Sequence, residues 1–300
     1  MAAQEEAPGS TKIFVEAKEA TRFVEAILSG NGVPAENAAI VAKYLVAADL
    51  RGVDTHGINR IPSYMERIRQ GVLNPAAQPQ LCQVTPVVAH VDGQNGFGFV
   101  AAHAGMAAAI ESARVYGIGM ASVAHSNHFG MSAWVIYKAK RRGEKIPLDW
   151  ALDAEGRPTD DPEAALGGVM LPMGGPKGSA LSIMMDVFSG ALSGSAFAGG
   201  VTNPYDPSRP ADVGHFLMAI KPDLFMSLED FRARMQHLYD RVVGSEKAAG
   251  VERIYFPGEI EQLTQEEREK TGIPFVGAEI EALNEEAARV GAELLVTKPS

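Results

Sequence analysis

The sequence predicts an α/β protein with helices at both ends of the chain and a mixed layer of strands and helices between them. Two observations support this fold class. Apolar residues recur at helical spacing near both termini, whereas the middle alternates β-branched runs with an alanine-rich helical pattern. At 300 residues and 46% hydrophobic content, the chain can bury one large core or two medium ones.

The first half of the chain divides into elements that local patterns predict in order. Helical spacing of apolar residues, β-branched runs and the turn signal Asp92-Gly93 mark their limits. The predicted elements are helices at Ala17–Leu28 and Pro34–Leu50, a strand at Pro86–Val91, a helix at Phe99–Tyr116 and a strand at Ile118–Ala124. Strand, helix and strand in succession predict a sheet whose C-terminal strand edge is the place for a ligand.

The second half is predicted to be helical apart from one loop rich in Gly, Pro and Asp. Side-chain capping patterns at Ser227–Asp230 and Thr264–Glu267 predict two helix starts. The other predicted elements are a helix at Met131–Arg142, the loop at Arg157–Pro176, a buried helix within Gly178–Gly200 and a final helix at Ala278–Leu295. Gly178–Gly200 carries Asp186 and lacks basic and aromatic anchors, which argues against a membrane span.

Composition excludes several functional classes. A formal net charge of −10 and a pI near 5.2 argue against nucleic-acid binding, which needs clustered Lys and Arg. Cys82 is the single cysteine, so an intramolecular disulfide and a cysteine-rich zinc site are excluded. The acidic N-terminal run MAAQEEAPGS lacks the apolar segment of a signal peptide. These features predict a cytoplasmic protein.

The run DTHGINR, which follows the second helix, is the first candidate for chemistry. It places the hydroxyl of Thr55, the imidazole of His56 and the guanidinium of Arg60 within one short segment. A guanidinium binds a carboxylate through two parallel hydrogen bonds, so a small carboxylate substrate fits this trio. Alternatively, His56 and Arg60 stabilise the negative C-terminal pole of the preceding helix.

The run HSNHFG is the second candidate and lies at the C-terminal end of a predicted strand. His128 could exchange a proton with a hydroxyl or carbonyl oxygen that Asn127 also contacts. A metal site would instead join His125 and His128 to His56 or His103. The pattern is a weak match to a metal site, because zinc histidines on one helical face are usually four residues apart, the HExxH glutamate is absent and no cysteine is nearby.

The run MGGPKG, which precedes an apolar helix, is the third candidate. Its glycines, the free N–H groups of the helix N-terminus and the charge of Lys177 could bind a cofactor phosphate. The run matches neither the GxxxxGK[ST] loop nor the GxGxxG motif of a Rossmann fold. It is equally consistent with a turn before a buried helix.

Taken together, these runs closely resemble the malate/L-lactate dehydrogenase family of NAD(P)H-dependent oxidoreductases. The resemblance extends from about Lys18 to the C-terminus and includes DTHGINR, PVVAHVDGQNGFG, SNHFG, DAEGRPTDDPEAAL, GGPKG and FPGE in order. It implies a helical domain built from both chain ends, residues 1–80 and 228–300, around a non-Rossmann α/β cofactor domain at residues 81–227. It also implies a homodimer with active sites near the subunit boundary.

The resemblance implies roles for individual residues. His56 and His128 line the reaction centre, and either could transfer the proton; Arg60 holds the substrate carboxylate, assisted by Thr55 and Asn127. NAD or NADP is the implied cofactor. It is contacted by Lys177, Gly178 and the PGE segment, which comprises Pro257, Gly258 and Glu259.

One departure from the family concerns the cofactor domain. After about Lys140 the chain continues directly into RRGEKIP, whereas relatives carry several tens of additional residues that supply sheet strands and part of the nicotinamide and phosphate pocket. Without them, strand edges and apolar faces would be exposed. The domain is therefore predicted to be internally shortened.

The main hypothesis is hydride transfer between a nicotinamide cofactor and a small 2-hydroxy or 2-oxo carboxylate, such as malate or lactate. The alternative is a shortened, catalytically silent isoform or paralogue that acts only through dimerisation. A histidine-bound metal hydrolase is a third possibility. No membrane or nucleic-acid partner is expected.

Overall fold

A computed structural model describes residues 12–129 and 145–298 of the chain. The predicted helix at Met131–Arg142 lies outside the described residues. The helices are α1 (Ala17–Gly30), α2 (Ala35–Leu50), α3 (Ile61–Arg69), α4 (Gly98–Tyr116), α5 (Pro162–Leu166), α6 (Pro176–Asp186), α7 (Leu228–Val243), α8 (Glu259–Thr271) and α9 (Gly277–Val290). The strands are β1 (Ile13–Val15), β2 (Gln80–Thr85), β3 (Val88–Asp92), β4 (Ile118–Ser126), β5 (Ala151–Leu152), β6 (Val169–Met170), β7 (Val213–Ile220) and β8 (Ile273–Phe275).

A hydrophobic core joins the helices from the two ends of the chain. The apolar faces of α1, α2, α3 and α9 meet there, as their helical spacing predicts. Its fully or almost fully buried members include Phe23, Leu45, Met65, Phe275 and Leu283. The segment 54–60 lies between α2 and α3, so this helical layer determines its position.

Strand pairing also brings the two chain ends together. β1 runs antiparallel to β8, with Ile13 opposite Phe275 and Val15 opposite Ile273. These short strands pack against the helical core. The predicted domain limits at residues 80 and 227 remain a prediction.

The predicted strand, helix and strand are confirmed as β3, α4 and β4. β3 and β4 are parallel, with Val91 opposite Val123, and α4 packs against both of them. β2 and β7 flank this pair antiparallel and give the sheet order β2, β3, β4, β7. The prediction did not include these flanking strands. The mixed sheet and the helical layer confirm the α/β fold class.

The prediction of a buried helix within Gly178–Gly200 is wrong. α6 ends at Asp186, a wide helical turn follows at Val187–Ala191, and none of the residues of α6 is buried within the described part of the chain. Leu181 and Ile183 are 59% and 63% exposed. An apolar helix is stabilised by packing against another element, but the sequence of the helix does not show whether such an element is present.

The C-terminal helices confirm one predicted start and correct another. The hydroxyl of Ser227 accepts a hydrogen bond from the backbone N–H of Asp230, as the capping pattern predicts. Thr264 lies inside α8 and donates its hydroxyl to the carbonyl of Ile260, so the helix start predicted there is wrong. The final helix ends at Val290 because Gly291 adopts a left-handed conformation. Among the described helices, none combines the length and apolarity needed to cross a membrane.

Candidate active site

The segment 54–60 forms two short 3-10 turns between α2 and α3, and a buried carboxylate holds it in place. Asp49, at the end of α2, accepts a 2.8 Å hydrogen bond from the backbone N–H of Ile58. A Cβ at Gly57 would lie 1.6 Å from an Asp49 oxygen, so only glycine fits. Burial raises the pKa of the Asp49 carboxyl well above its ordinary value. Helix α2 thus fixes the turn that carries His56 and Arg60.

The segment that carries Asn127 and His128 follows the end of β4. The side-chain amide of Asn127 donates to the carbonyl oxygens of Asn95 and Gly96, at 3.1 and 2.9 Å. A Cβ at Gly98 would lie 2.0 Å from the Asn127 carbonyl oxygen, so the start of α4 approaches this backbone closely. The segment therefore leaves the sheet edge along one fixed path, as expected for a ligand site at the C-terminal end of a strand.

The tertiary structure brings the two histidine-bearing segments into contact. The ring centroids of His56 and His128 are 5.4 Å apart. Nδ1 of His56 lies 2.9 Å from the hydroxyl of Thr55, and its Nε2 lies 3.5 Å from a guanidinium nitrogen of Arg60. Since a guanidinium can only donate, Nε2 of His56 is the acceptor and Nδ1 carries the proton.

Burial keeps both imidazoles uncharged at neutral pH. It lowers the pKa of His56 to about 4, with a further contribution from the charge of Arg60. It lowers the pKa of His128 to about 3, and Arg60, His56 and His215 add to that effect. An uncharged imidazole can accept a proton from a hydroxyl group, which an imidazolium cannot.

Arg60 is a buried cation with one vacant donor. Its Nε donates to the carbonyl oxygen of Thr55 at 2.7 Å, and the ring of Tyr205 lies 4.5 Å from its guanidinium carbon. Within the described part of the chain, its Nη1 is buried without a hydrogen-bond partner. An unpaired buried N–H is costly, so this atom is suited to an oxygen of a bound anion.

In the part of the chain that the structure describes, Asn127 provides a buried hydrogen-bond acceptor without a partner, whereas Arg60 provides a donor. Its side-chain nitrogen is committed to carbonyl oxygens, which fixes the orientation of the amide. Among the described residues, its Oδ1 has no hydrogen-bond partner and is buried. A small pocket lined in part by Tyr64, Asn127 and His128 adjoins it. The site therefore combines one vacant donor with one vacant acceptor beside two neutral imidazoles.

Tyr64 is a site residue that the sequence prediction missed. Its phenol oxygen lies 2.9 Å from Nδ1 of His128, and burial raises its pKa. The rings of Phe97 and Phe99 contact Tyr64 edge-on. Helical spacing was an available signal, because Tyr64 follows Arg60 by four residues and both side chains can share one face of the chain there.

The other histidines of the metal hypothesis have different partners. His125 is exposed, and its Nδ1 lies 3.2 Å from Asp92, whereas His103 bonds to the hydroxyl of Tyr44 at 3.0 Å. His125 and His128 therefore point to different surroundings. Across residues 12–129 and 145–298, no three His, Cys, Asp or Glu side chains are grouped as metal ligands.

The two segments predicted to contact a cofactor contain Lys177 and the PGE residues. Neither segment takes part in the contacts described above around His56 and His128. Lys177 is exposed in the first turn of α6, after two glycines with positive φ, Gly174 and Gly175. A Cβ at Gly178 would lie 1.8 Å from the carbonyl oxygen of Met173, so this position requires glycine. These features leave an exposed cation beside an open, glycine-rich backbone.

The PGE segment forms the N-terminus of α8. Pro257 is exposed, and Gly258 has a φ of +89°. The carboxylate of Glu259 accepts hydrogen bonds from the backbone N–H of Phe256, at 3.0 Å, and from the guanidinium of Arg253. The structure thus assembles Thr55, His56, Arg60, Asn127 and His128, while the cofactor roles of the two glycine-rich segments remain predictions.

Known proteins resemble this chain over most of its length. A sequence model of the malate/L-lactate dehydrogenase family matches residues 15–139 and 135–284. The malate dehydrogenase of Pyrococcus abyssi is 32% identical, over 90% of this chain and 93% of its own length. The L-sulfolactate dehydrogenase of Methanothermobacter thermautotrophicus is 31% identical, over 85% and 91%.

Two further relatives are named with their cofactors, and each is 28% identical. The ureidoglycolate dehydrogenase of Escherichia coli O157:H7 is named for NAD(+) and aligns over 85% of this chain and 90% of its own length. The (2R)-3-sulfolactate dehydrogenase of Chromohalobacter salexigens is named for NADP(+) and aligns over 76% and 87%.

Solved structures share the fold over nearly the whole chain. The malate dehydrogenase of Pyrococcus horikoshii has a TM-score of 0.83 at 31% identity and covers 97% of this chain and 100% of its own. The malate dehydrogenase of Entamoeba histolytica has a TM-score of 0.88 at 27% identity, with coverage of 95% and 100%. The mixed sheet and helical layer are therefore the shared architecture.

The comparisons also bear on the predicted internal shortening. The two matches of the family model meet at residues 135–139, close to the predicted position after Lys140. The alignment with the P. abyssi enzyme extends over 339 positions, although only 90% of this 300-residue chain takes part. The relative therefore carries several tens of residues that have no counterpart here.

Proposed function

Because the chain belongs to the malate/L-lactate dehydrogenase family, we propose that it transfers a hydride between NAD or NADP and a small 2-hydroxy or 2-oxo carboxylate, such as malate or lactate. One observation supports this proposal above the others. The vacant, buried N–H of Arg60 lies beside two imidazoles that are uncharged at neutral pH. Carboxylate binding and proton transfer are the two tasks that such a reaction asks of the protein.

In this proposal Arg60 binds and orients the substrate. Nη1 donates to a carboxylate oxygen, which removes the cost of an unpaired buried donor. Asn127, whose vacant Oδ1 adjoins the same small pocket as His128, assists in positioning the substrate. Thr55 holds His56 through Nδ1, so that His56 remains a neutral neighbour that supports the guanidinium.

We assign proton transfer to His128 and not to His56. Nε2 of His56 already faces the guanidinium of Arg60, so its lone pair is engaged. The hydrogen bond from His128 to Tyr64 uses Nδ1, which assigns Nε2 to the substrate. In oxidation, Nδ1–H donates to the Tyr64 oxygen while Nε2 takes the hydroxyl proton, and in reduction Nε2 returns that proton.

The residues at the glycine-rich segments fit the phosphate end of a dinucleotide. Lys177 supplies a positive charge, and a Cβ at Gly174 or Gly175 would meet no other described atom within 4 Å, so a ligand can approach the backbone beside the start of α6. Gly178 and the PGE segment at Pro257, Gly258 and Glu259 are the further proposed contacts. When bound, the nicotinamide supplies the carbon that accepts or releases the hydride.

We further propose that the protein is cytoplasmic and forms a homodimer; exposed apolar side chains support the homodimer. None of the residues of α7 is buried, and Phe225, just before it, is 85% exposed. Apolar surface of this extent is typical of an interface. Light scattering of the purified protein measures the mass directly, and a monomeric mass would contradict the dimer.

A second candidate function follows from the internal shortening. A chain that lacks part of the cofactor domain could act only by associating with another subunit, without catalysis of its own. The exposed face of α6, with Leu181 and Ile183 in solvent, supports this candidate. It predicts a folded dimer that binds neither NADH nor NADPH.

One experiment separates the two candidates. The purified protein is titrated with NADH and NADPH by calorimetry, and thermal unfolding is followed in parallel. Saturable binding that raises the melting temperature, followed by NAD(P)H oxidation with a 2-oxo acid, supports the dehydrogenase. The His128→Ala protein should bind the same cofactor without turnover. A folded wild-type protein that binds neither dinucleotide would exclude the dehydrogenase and support the silent subunit.

A further inference from the structure

A loop between the wide turn and β7, here called the 202–211 loop, places an aromatic ring beside the guanidinium of Arg60. The ring of Tyr205 on this loop lies 4.5 Å from the guanidinium carbon of Arg60. Tyr205 is 52% exposed. Arg60 itself is buried.

Two side chains of α3 fasten the 202–211 loop. The hydroxyl of Ser63 donates to the carbonyl oxygen of Pro204 at 2.8 Å. The guanidinium of Arg67 donates to the carbonyl oxygens of Asp206 and Arg209, the latter at 3.0 Å. Arg67 therefore bridges two points of the loop with one rigid, planar group.

The loop also closes on itself. The backbone N–H of Thr202 donates to the carbonyl oxygen of Ala211 at 3.2 Å, and its hydroxyl donates to that of Pro210 at 2.9 Å. These two bonds join the first residue of the loop to its last two residues. The loop is thus a closed unit attached to α3, and the position of Tyr205 depends on α3.

Burial of the Arg67 charge makes this attachment unusual. Arg67 is among the largest fully buried side chains of the described chain, although a buried guanidinium carries a large desolvation cost. Its two nitrogen-to-carbonyl bonds offset part of that cost. An apolar side chain could pack in the same place, but it could not donate to the carbonyl oxygens of the loop.

We propose that Tyr205 is a positioning residue for Arg60 and that Arg67 and Ser63 hold it in place through the 202–211 loop. This inference rests on the proposed function, in which Arg60 binds the substrate carboxylate. An aromatic ring over one face of a guanidinium leaves the edge free for in-plane hydrogen bonds. Tyr205 thereby keeps the vacant Nη1 directed toward a planar carboxylate and sheltered from water.

The test compares Tyr205→Leu and Tyr205→Phe with the wild-type protein. Tyr205→Leu removes the ring and should raise KM for a 2-oxo carboxylate about 10-fold, with kcat and KM for NAD(P)H within about 2-fold. Tyr205→Phe keeps the ring and should behave as the wild type. Ser63→Ala, which loosens the loop without removing a buried charge, should raise the same KM by a smaller factor.

Tyr116→Leu is the matched control, because Tyr116 is similarly exposed, at 55%, and lies at the far end of α4 from the site. It should leave all kinetic constants unchanged. Equal kinetic constants for the wild type and Tyr205→Leu would overturn the inference. So would a Tyr205→Phe protein as impaired as Tyr205→Leu, because the ring would then not be the effective group.

Oxalate binding by calorimetry separates failure of this inference from failure of the proposed function. Oxalate is a planar dicarboxylate that does not react. A wild-type protein that binds no oxalate, with or without NAD(P)H, would contradict the proposed carboxylate site and with it the inference. If Tyr205→Leu bound oxalate as tightly as the wild-type protein, the inference about Tyr205 would be contradicted, whereas the proposed carboxylate site would not.

Discussion

The phenol oxygen of Tyr64 lies 2.9 Å from Nδ1 of His128, which links the first turn of α3 to the segment beyond β4. Tyr64 is buried and His128 is partly buried, and burial raises the pKa of Tyr64 while it lowers that of His128. The pair is therefore neutral at physiological pH, and the hydrogen bond to the phenol engages Nδ1 of His128, so that Nε2 is the nitrogen that the proposed mechanism uses.

We expect Tyr64→Phe to lower kcat about 10-fold to 100-fold without changing the affinity for NAD(P)H, because His128 loses the partner that orients it. The measurement is steady-state reduction of a 2-oxo acid. Tyr44→Phe is a matched control, since the Tyr44 hydroxyl bonds to His103 at 3.0 Å outside the site. If both variants retained wild-type kcat, the Tyr64 contact would have no part in catalysis.

Substitution of Arg60 tests the carboxylate site directly. Arg60→Ala should weaken oxalate binding at least 100-fold, and Arg60→Lys should recover little of it, because lysine lacks the planar fork. Arg22→Lys serves as the control, since Arg22 forms a two-pronged pair with Glu19 on the surface of α1. Unchanged turnover or oxalate affinity in Arg60→Ala would discard the carboxylate clamp.

Gly57→Ala should disrupt the turn that carries His56 and Arg60. Its Cβ would overlap the Asp49 carboxylate, at 1.6 to 2.3 Å from its atoms, so we expect a lower melting temperature and lost turnover. Combining it with Asp49→Ala should restore part of the stability relative to the sum of the single changes. Gly277→Ala is the control, because among the described residues a Cβ there would meet no atom of another segment within 4 Å. Strictly additive effects would rule out the steric explanation.

Lys177→Ala should weaken NADH and NADPH binding about 10-fold, because it removes one charge-assisted contact to phosphate. Calorimetry gives the two dissociation constants. Lys145→Ala is the control, since Lys145 is an exposed lysine that pairs with Asp160. An affinity equal to that of the control would show that the glycine-rich segment before α6 does not bind the dinucleotide.

Stability should fall in mild acid. The pKa values of His56, His128 and His215 are lowered from 6.5 to about 4, 3 and 4 in the folded protein, so each histidine takes up a proton on unfolding between these limits. The free energy of unfolding therefore decreases as the pH falls from about 6.5 to about 4.

Thermal unfolding across that pH range measures this dependence. His215→Phe should reduce the pH dependence by about one proton, because the imidazole is buried against the ring of Phe129, at 3.9 Å between centroids. Equal slopes in the wild type and His215→Phe would contradict the assignment of a neutral, buried His215.

Much of the fold follows from patterns between near neighbours in the chain. The spacing of apolar residues predicts α1, α2 and α4, and β-branched runs predict β3 and β4. β2, with every residue exposed, carries no alternating apolar signal and was missed. The exposure of α6 was also missed, because an apolar composition indicates that a helix would pack against another element but does not show that the element is present.

The sequence by itself determined the class of fold, the family and the residue types of the candidate site. Short motifs and periodicities involve residues that are close together in the chain, so the sequence alone shows them. Only the tertiary structure decided that His56 meets His128, that Tyr64 holds the second imidazole and that Tyr205 covers Arg60. These contacts join residues that are distant in sequence. The burial that keeps the imidazoles neutral likewise depends on the packing of many elements at once.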